Sequence, residues 1–104
     1  NSKLMLDATG SIGLEKGHNL SDISTFSSCK GLFGLTGASF IAYNDEPKNN
    51  VKSFYMDINT HINKKLTGPY HTIGSLYYVL KNYNKFKNAV KKNKSKFLKD
   101  NYIS

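Results

Sequence analysis

Three short apolar runs crowd the first 43 residues: Leu4-Met5-Leu6, Ile23 to Ser27, and Gly37 to Tyr43. The stretches between them are rich in glycine, serine and threonine. A parallel crossover needs a dozen or more residues, so little room remains for long crossover helices and at least one neighbouring pair of strands is expected to be antiparallel. Leu4 to Leu6 is uninterrupted by polar residues and reads as a strand buried on both faces of a parallel sheet. Ile23-Ser24-Thr25-Phe26-Ser27 alternates, as a strand does. The intervening segment Leu14 to Asp22 is polar and reads as a loop with at most a short helical turn.

Beyond the break at Asn44-Asp45-Glu46-Pro47 the apolar period changes. Phe54, Tyr55, Ile58 and Ile62 are spaced for a short helix within Val51 to Lys65. Thr67-Gly68-Pro69-Tyr70-His71 interrupts it. Ile73, Leu76, Tyr77 and Leu80 follow i, i+3, i+4, i+7, which predicts an amphipathic helix from Tyr70 to Tyr83. Pro69 stands at its first turn, where a missing N–H is harmless. A lysine-rich helix is expected from Asn84 or Lys85 to about Lys99, with Phe86, Ala89, Val90, Phe97 and Leu98 inward. Strands followed by helices place the chain in the α/β class.

A chain of 104 residues with 38% hydrophobic and 12% aromatic residues suits one small globular unit and argues against wholesale disorder. Its net charge of +8 invites a nucleic-acid partner. Two features oppose that. Every basic residue is lysine, so the bidentate contacts of arginine are missing. Many lysines also crowd positions 81–99 among asparagines and apolar residues, the pattern of a wet helix face. The one cysteine, Cys29, excludes an internal disulfide and fits a reducing, cytoplasmic setting. No apolar run reaches membrane-spanning length. The chain opens on Asn1 and enters a strand within a few residues, which reads as a piece of a longer protein.

Two residues carry a possible chemistry. Lys30 follows the second strand and precedes Gly31-Leu32-Phe33-Gly34, so its amine is expected among apolar residues and tight turns. A neutral lysine amine attacks carbonyl carbon to form a Schiff base; the plainer alternative is a lysine that snorkels its ammonium to water. Asp7 ends the first strand, and ligands of α/β sheets bind beyond the carboxyl ends of strands. Its plainer role is a turn or cap aspartate. An acid and a lysine at one such edge suit pyridoxal phosphate (PLP): the lysine anchors the aldehyde and the carboxylate pairs with the pyridinium nitrogen.

Leu6-Asp7-Ala8-Thr9-Gly10-Ser11-Ile12-Gly13, then Ser27-Ser28-Cys29-Lys30-Gly31-Leu32-Phe33-Gly34, then Thr67-Gly68-Pro69 together resemble the class V aminotransferases of PLP fold type I. Within that group the chain is most similar to the 2-aminoethylphosphonate–pyruvate aminotransferases. The resemblance implies that residues 1–44 end a large PLP-binding domain and that residues 45–104 lead into a small C-terminal domain. It implies that Lys30 is the Schiff-base lysine and moves a proton on the substrate. Asp7 then pairs with the pyridine nitrogen, and Ser28 lies in the segment lining the phosphate pocket. Thr67 matches a threonine that reaches the cofactor phosphate of a partner subunit, implying a homodimer; read by itself it is a helix-capping residue. The substrates implied are a small amine donor and a 2-oxo acid acceptor.

Departures bear on this reading. Gly10 stands where relatives often carry a serine or threonine that contacts the cofactor, a place that Thr9 or Ser11 can fill. Cys29 replaces Asn, Gln or His, and a packed, inert thiol is its plainer role. It does not match the nucleophile of cysteine desulfurases, which lies on a separate, later loop. His61 and His71 lack partners at metal spacing and read as surface or helix-start residues. The chain contains no arginine to grip a substrate carboxylate, and family members are several times its length. The isolated chain is therefore expected to bind PLP weakly or not at all and to lack transaminase activity. The rivals are a class V enzyme of another substrate, a small basic binding module, and a non-catalytic relic.

Overall fold

A computed structural model describes residues 2–46, 48, 51–64 and 68–102 of the chain. The sheet is built from β1 (Met5–Asp7), β2 (Ile23–Ser27) and β3 (Ser39–Tyr43), in the order β1-β2-β3. β1 and β2 are parallel, with Met5 opposite Ile23 and Asp7 opposite Thr25. β2 and β3 are antiparallel, with Ile23 opposite Tyr43 and Ser27 opposite Ser39. The expected antiparallel pair is thus the one joined by the short 28–38 loop, while 8–22 supplies the longer parallel connection. Within that connection only a 3-10 turn, His18–Leu20, is regular.

Side chains alternate across the sheet, so register decides which residues share a face. Leu6, Ser24 and Ala42 share one face with Phe26 and Phe40, whose rings stack at 5.2 Å. The 12–21 segment folds over this face and leaves a hollow of about 200 Å³ lined by Ile12, His18, Ser21, Ser24, Phe26 and Ala42, among others. The opposite face carries Met5, Asp7, Thr25 and Ile41. It is open: Met5 is 70% exposed and Ile41 49%. The expectation that β1 is buried on both faces is therefore corrected. Among the described residues β1 is an edge strand and nothing covers Met5.

At the far end of the sheet Lys3 Nζ lies 3.7 Å from Asp45 and 4.0 Å from Asp22. Asp22 also accepts the Leu4 N–H at 2.7 Å, and Asn44 Nδ2 donates to Ser21 O at 3.0 Å. These bonds tie the start of β1 and β2 to the end of β3.

Three helices follow: α1 (Ile58–Lys64), α2 (Tyr70–Lys81) and α3 (Tyr83–Tyr102). α1 starts later than the aromatic spacing suggests because Asp57 caps it. The buried Asp57 carboxylate accepts the Asn59 N–H at 3.1 Å and the Thr60 hydroxyl at 2.9 Å. α2 begins at Tyr70 as expected, directly after Pro69. Its buried residues are Thr72 and Leu76, whereas Ile73, Tyr77 and Leu80 are at least half exposed. Of the apolar spacing Leu76 alone is buried, joined on the inward side by Thr72 and the half-buried Val79, and half-buried Tyr83 follows at the start of α3. The reason is what the helices meet. α2 and the first turn of α3 meet the loops at the carboxyl ends of β1 and β2. Thr72 Oγ1 donates to Thr36 O at 2.9 Å and Leu76 rests against Gly34.

α3 is longer than expected, and its expected inward residues are exposed: Phe86 at 40%, Val90 at 37%, Phe97 at 58% and Leu98 at 45%, with Ala89 also exposed. Buried apolar residues among those described are only Ala8, Ala38 and Leu76. The radius of gyration is 17.1 Å, against about 13 Å for a compact domain of similar length. No helix among the described residues is long and apolar enough to cross a membrane.

Candidate functional site

Parallel pairing puts the carboxyl ends of β1 and β2 on one edge of the sheet, and the loops that leave them carry Asp7 and Lys30. The loops are bonded to each other. Ala8 N–H donates to Thr25 O at 2.8 Å, and Gly31 N–H donates to Thr9 O at 3.0 Å. The backbone around Gly31 approaches closely enough that a Cβ there would lie 2.7 Å from Ile12 O.

Asp7 is exposed, and Thr9 organises its carboxylate: Oδ1 accepts both the Thr9 hydroxyl and, at 3.1 Å, the Thr9 N–H. The hydroxyl contributes most and the N–H next to holding this carboxyl below its ordinary value of 3.8. Asp7 is thus anionic at neutral pH.

Lys30 is also exposed. The expectation of an amine walled by apolar residues is corrected: Leu35 is exposed as well, and Phe33 turns towards α3. Phe33 does so in a left-handed backbone conformation, φ 60°, that non-glycine residues rarely adopt. Its ring meets Tyr83 at 5.6 Å and Phe86 at 6.0 Å. Phe33 N–H bonds to Lys30 O at 3.0 Å and Gly34 N–H to Ser28 O at 2.7 Å, which closes the turn around Lys30.

Ser28 is fully buried beneath that turn. Its hydroxyl donates to Leu35 O at 2.5 Å and accepts the Ala38 N–H at 3.3 Å, and its own N–H bonds to Ala38 O at 3.0 Å. The proton of Ser28 is committed inside the chain, so Ser28 shapes the loop that presents Lys30. Ser11 Oγ lies 2.9 Å from His18 Nε2. Thr67 lies outside the described residues. Cys29 is half-buried, 3.7 Å from Ser27 Oγ. His61 Nε2 lies 3.1 Å from Tyr55 O, and His71 is exposed on the first turn of α2. Among the described residues no group of three or more His, Cys, Asp or Glu is placed to hold a metal ion.

Sequence reasoning missed Tyr83, the first residue of α3. Its hydroxyl lies 2.7 Å from Gly31 O and 3.2 Å from Ile12 O, so it reaches both loops at once. Gly13 makes room for it: φ there is +76°, and a Cβ would collide with the phenol, 2.7 Å from Cζ. Burial raises the Tyr83 hydroxyl above its ordinary 10.0. The available signal was spacing, since Tyr83 follows Leu76 by two turns on the buried stripe.

The arrangement defines a site class by chemistry: an ordered carboxylate and an exposed primary amine on adjacent, bonded loops at one sheet edge. Comparison with protein-family models, curated proteins and solved structures returns no match for this chain.

Proposed function

We propose that the chain is the catalytic-lysine segment of a PLP-dependent class V aminotransferase of fold type I, acting on 2-aminoethylphosphonate and pyruvate. The observation that carries the reading is the parallel β1–β2 pair, whose following loops are joined by the bond from Gly31 to Thr9. It sets the acid and the amine on one edge, where α/β sheets hold ligands.

The donor set fits two ends of the cofactor. Asp7 offers an anionic oxygen able to accept the pyridinium N–H, and Lys30 offers an exposed amine for covalent attachment. The phosphate end finds less in this chain, because the Ser28 proton is given to Leu35 O and Ser11 is bonded to His18. That end falls to Thr67 and to segments of a longer chain or of a homodimeric partner. When bound, PLP supplies a carbonyl carbon for attachment and a ring that withdraws electrons from the donor's Cα. Asp7 would hold the proton on the ring nitrogen. Lys30 Nζ would accept the proton at the donor's Cα. The single cysteine agrees with a cytoplasmic setting.

Treating the 104-residue chain with PLP, reducing with borohydride and mapping the modified lysines tests this reading. Binding to the isolated chain is expected to be weak, so the readout is preference rather than occupancy: Lys30 should be trapped ahead of exposed helix lysines such as Lys91, and Asp7→Asn should lower that preference. Equal trapping at Lys30 and Lys91 would refute it.

A further inference from the structure

We infer that Tyr83 is a positioning residue that holds the Asp7 and Lys30 loops in register from the first turn of α3. This rests on the reading of Asp7 and Lys30 given above. Four observations converge on Tyr83. Its hydroxyl sits 2.7 Å from Gly31 O, one residue after Lys30, and 3.2 Å from Ile12 O in the loop that leaves Asp7. Its ring packs on Phe33, whose φ of 60° persists only where surrounding contacts hold it. Gly13 has no side chain where one would strike the phenol. Gly31 N–H, on the same residue whose carbonyl faces Tyr83, is the donor that joins the loops.

A phenol has one proton to give, and the shorter contact marks Gly31 O as its main acceptor. Fixing that carbonyl fixes the peptide plane between Gly31 and Leu32 and restrains the turn that carries Lys30. The second carbonyl, at Ile12, brings the Asp7 loop to the same point. Tyr83 touches neither the candidate carboxylate nor the candidate amine, so its effect on them runs through backbone.

The test is Tyr83→Phe in the 104-residue chain, which keeps the ring and removes only the hydroxyl. Amide exchange at Gly31 should rise about three- to tenfold, the loss of one net hydrogen bond. The Gly31 carbonyl carbon resonance should move, and exchange at Ser28, bonded to Ala38 O away from Tyr83, should hold steady. In the PLP and borohydride experiment the ratio of trapping at Lys30 to that at Lys91 should fall. Unchanged Gly31 exchange, or equal rises at Gly31 and Ser28, would overturn the positioning role. So would an unchanged trapping ratio in a chain that does trap PLP at Lys30. No preference for Lys30 in the unsubstituted chain would overturn the cofactor reading and the inference with it, while the exchange result would still report whether Tyr83 joins the loops.

Discussion

Gly13→Ala probes the junction of the two loops, because two separate costs meet at one methyl group. The backbone there is left-handed, φ +76°, and an L side chain in that region costs about 1–2 kcal/mol. The added carbon would also collide with the Tyr83 phenol, 2.7 Å from Cζ and 3.1 Å from Cε2. Overpacking of this kind costs about 1–3 kcal/mol. The sum is about 2–5 kcal/mol. Replacing Tyr83 by alanine removes the obstacle and leaves the backbone cost alone. In the Tyr83→Ala background, therefore, Gly13→Ala should cost only about 1–2 kcal/mol. The coupling between the two sites should be about 1–3 kcal/mol, a factor of about 5–150 in an equilibrium. Native-state amide exchange at Ala8 and Gly31 measures it, since their bonds to Thr25 O and Thr9 O break when the edge opens. Equal cost of Gly13→Ala in both backgrounds would refute the steric argument.

Two other outcomes are expected. Asp7 titrates below 3.8 when folded because Thr9 stabilises its anion, so its contribution to stability is present above that value and fades as pH falls through the folded one. Carbon-detected titration of the carboxyl should show Thr9→Val moving Asp7 back towards 3.8; no movement would remove Thr9 as the cause. Replacing Lys91, Lys92, Lys94 and Lys96 by glutamine should leave trapping of PLP at Lys30 unchanged. A steep, salt-dependent affinity for nucleic acid that vanishes with these lysines, alongside indifference to Lys30, would instead support the basic binding module.

Strand β2 was legible to the residue because Ile23 to Ser27 alternates and lies between two β neighbours that satisfy both its edges. Loop length alone made one antiparallel neighbouring pair legible, but not that it is β2–β3. β1 was misjudged in burial because an apolar run tells what a strand can be packed against, and here Met5 and Ile41 face open space. The same reason explains α2. Its apolar spacing names Ile73, Leu76, Tyr77 and Leu80, of which Leu76 is buried; the helix turns Thr72 inward beside it because Thr36 O offers a hydrogen-bond acceptor there and Gly34 a gap. Asp7 and Lys30 were legible as residue types at strand ends. The inward commitment of Ser28 was not, since it depends on a carbonyl seven residues away. Tyr83 was hidden by distance: nothing local to Asn82-Tyr83-Asn84 marks a bond to Gly31 or Ile12.

Tyr83 follows Ile12 by 71 residues and Gly31 by 52. On the ribosome the strands and the turn around Lys30 are made long before the hydroxyl that secures them. At roughly 5–20 residues per second, about 3–10 s separate the synthesis of Gly31 from that of Tyr83. For that interval the Asp7 and Lys30 loops are joined only by their own backbone bonds, and Phe33 has no ring to hold its strained turn. The bonds that Tyr83 adds to this edge of the sheet are therefore the last to become available, and they come from the first turn of α3.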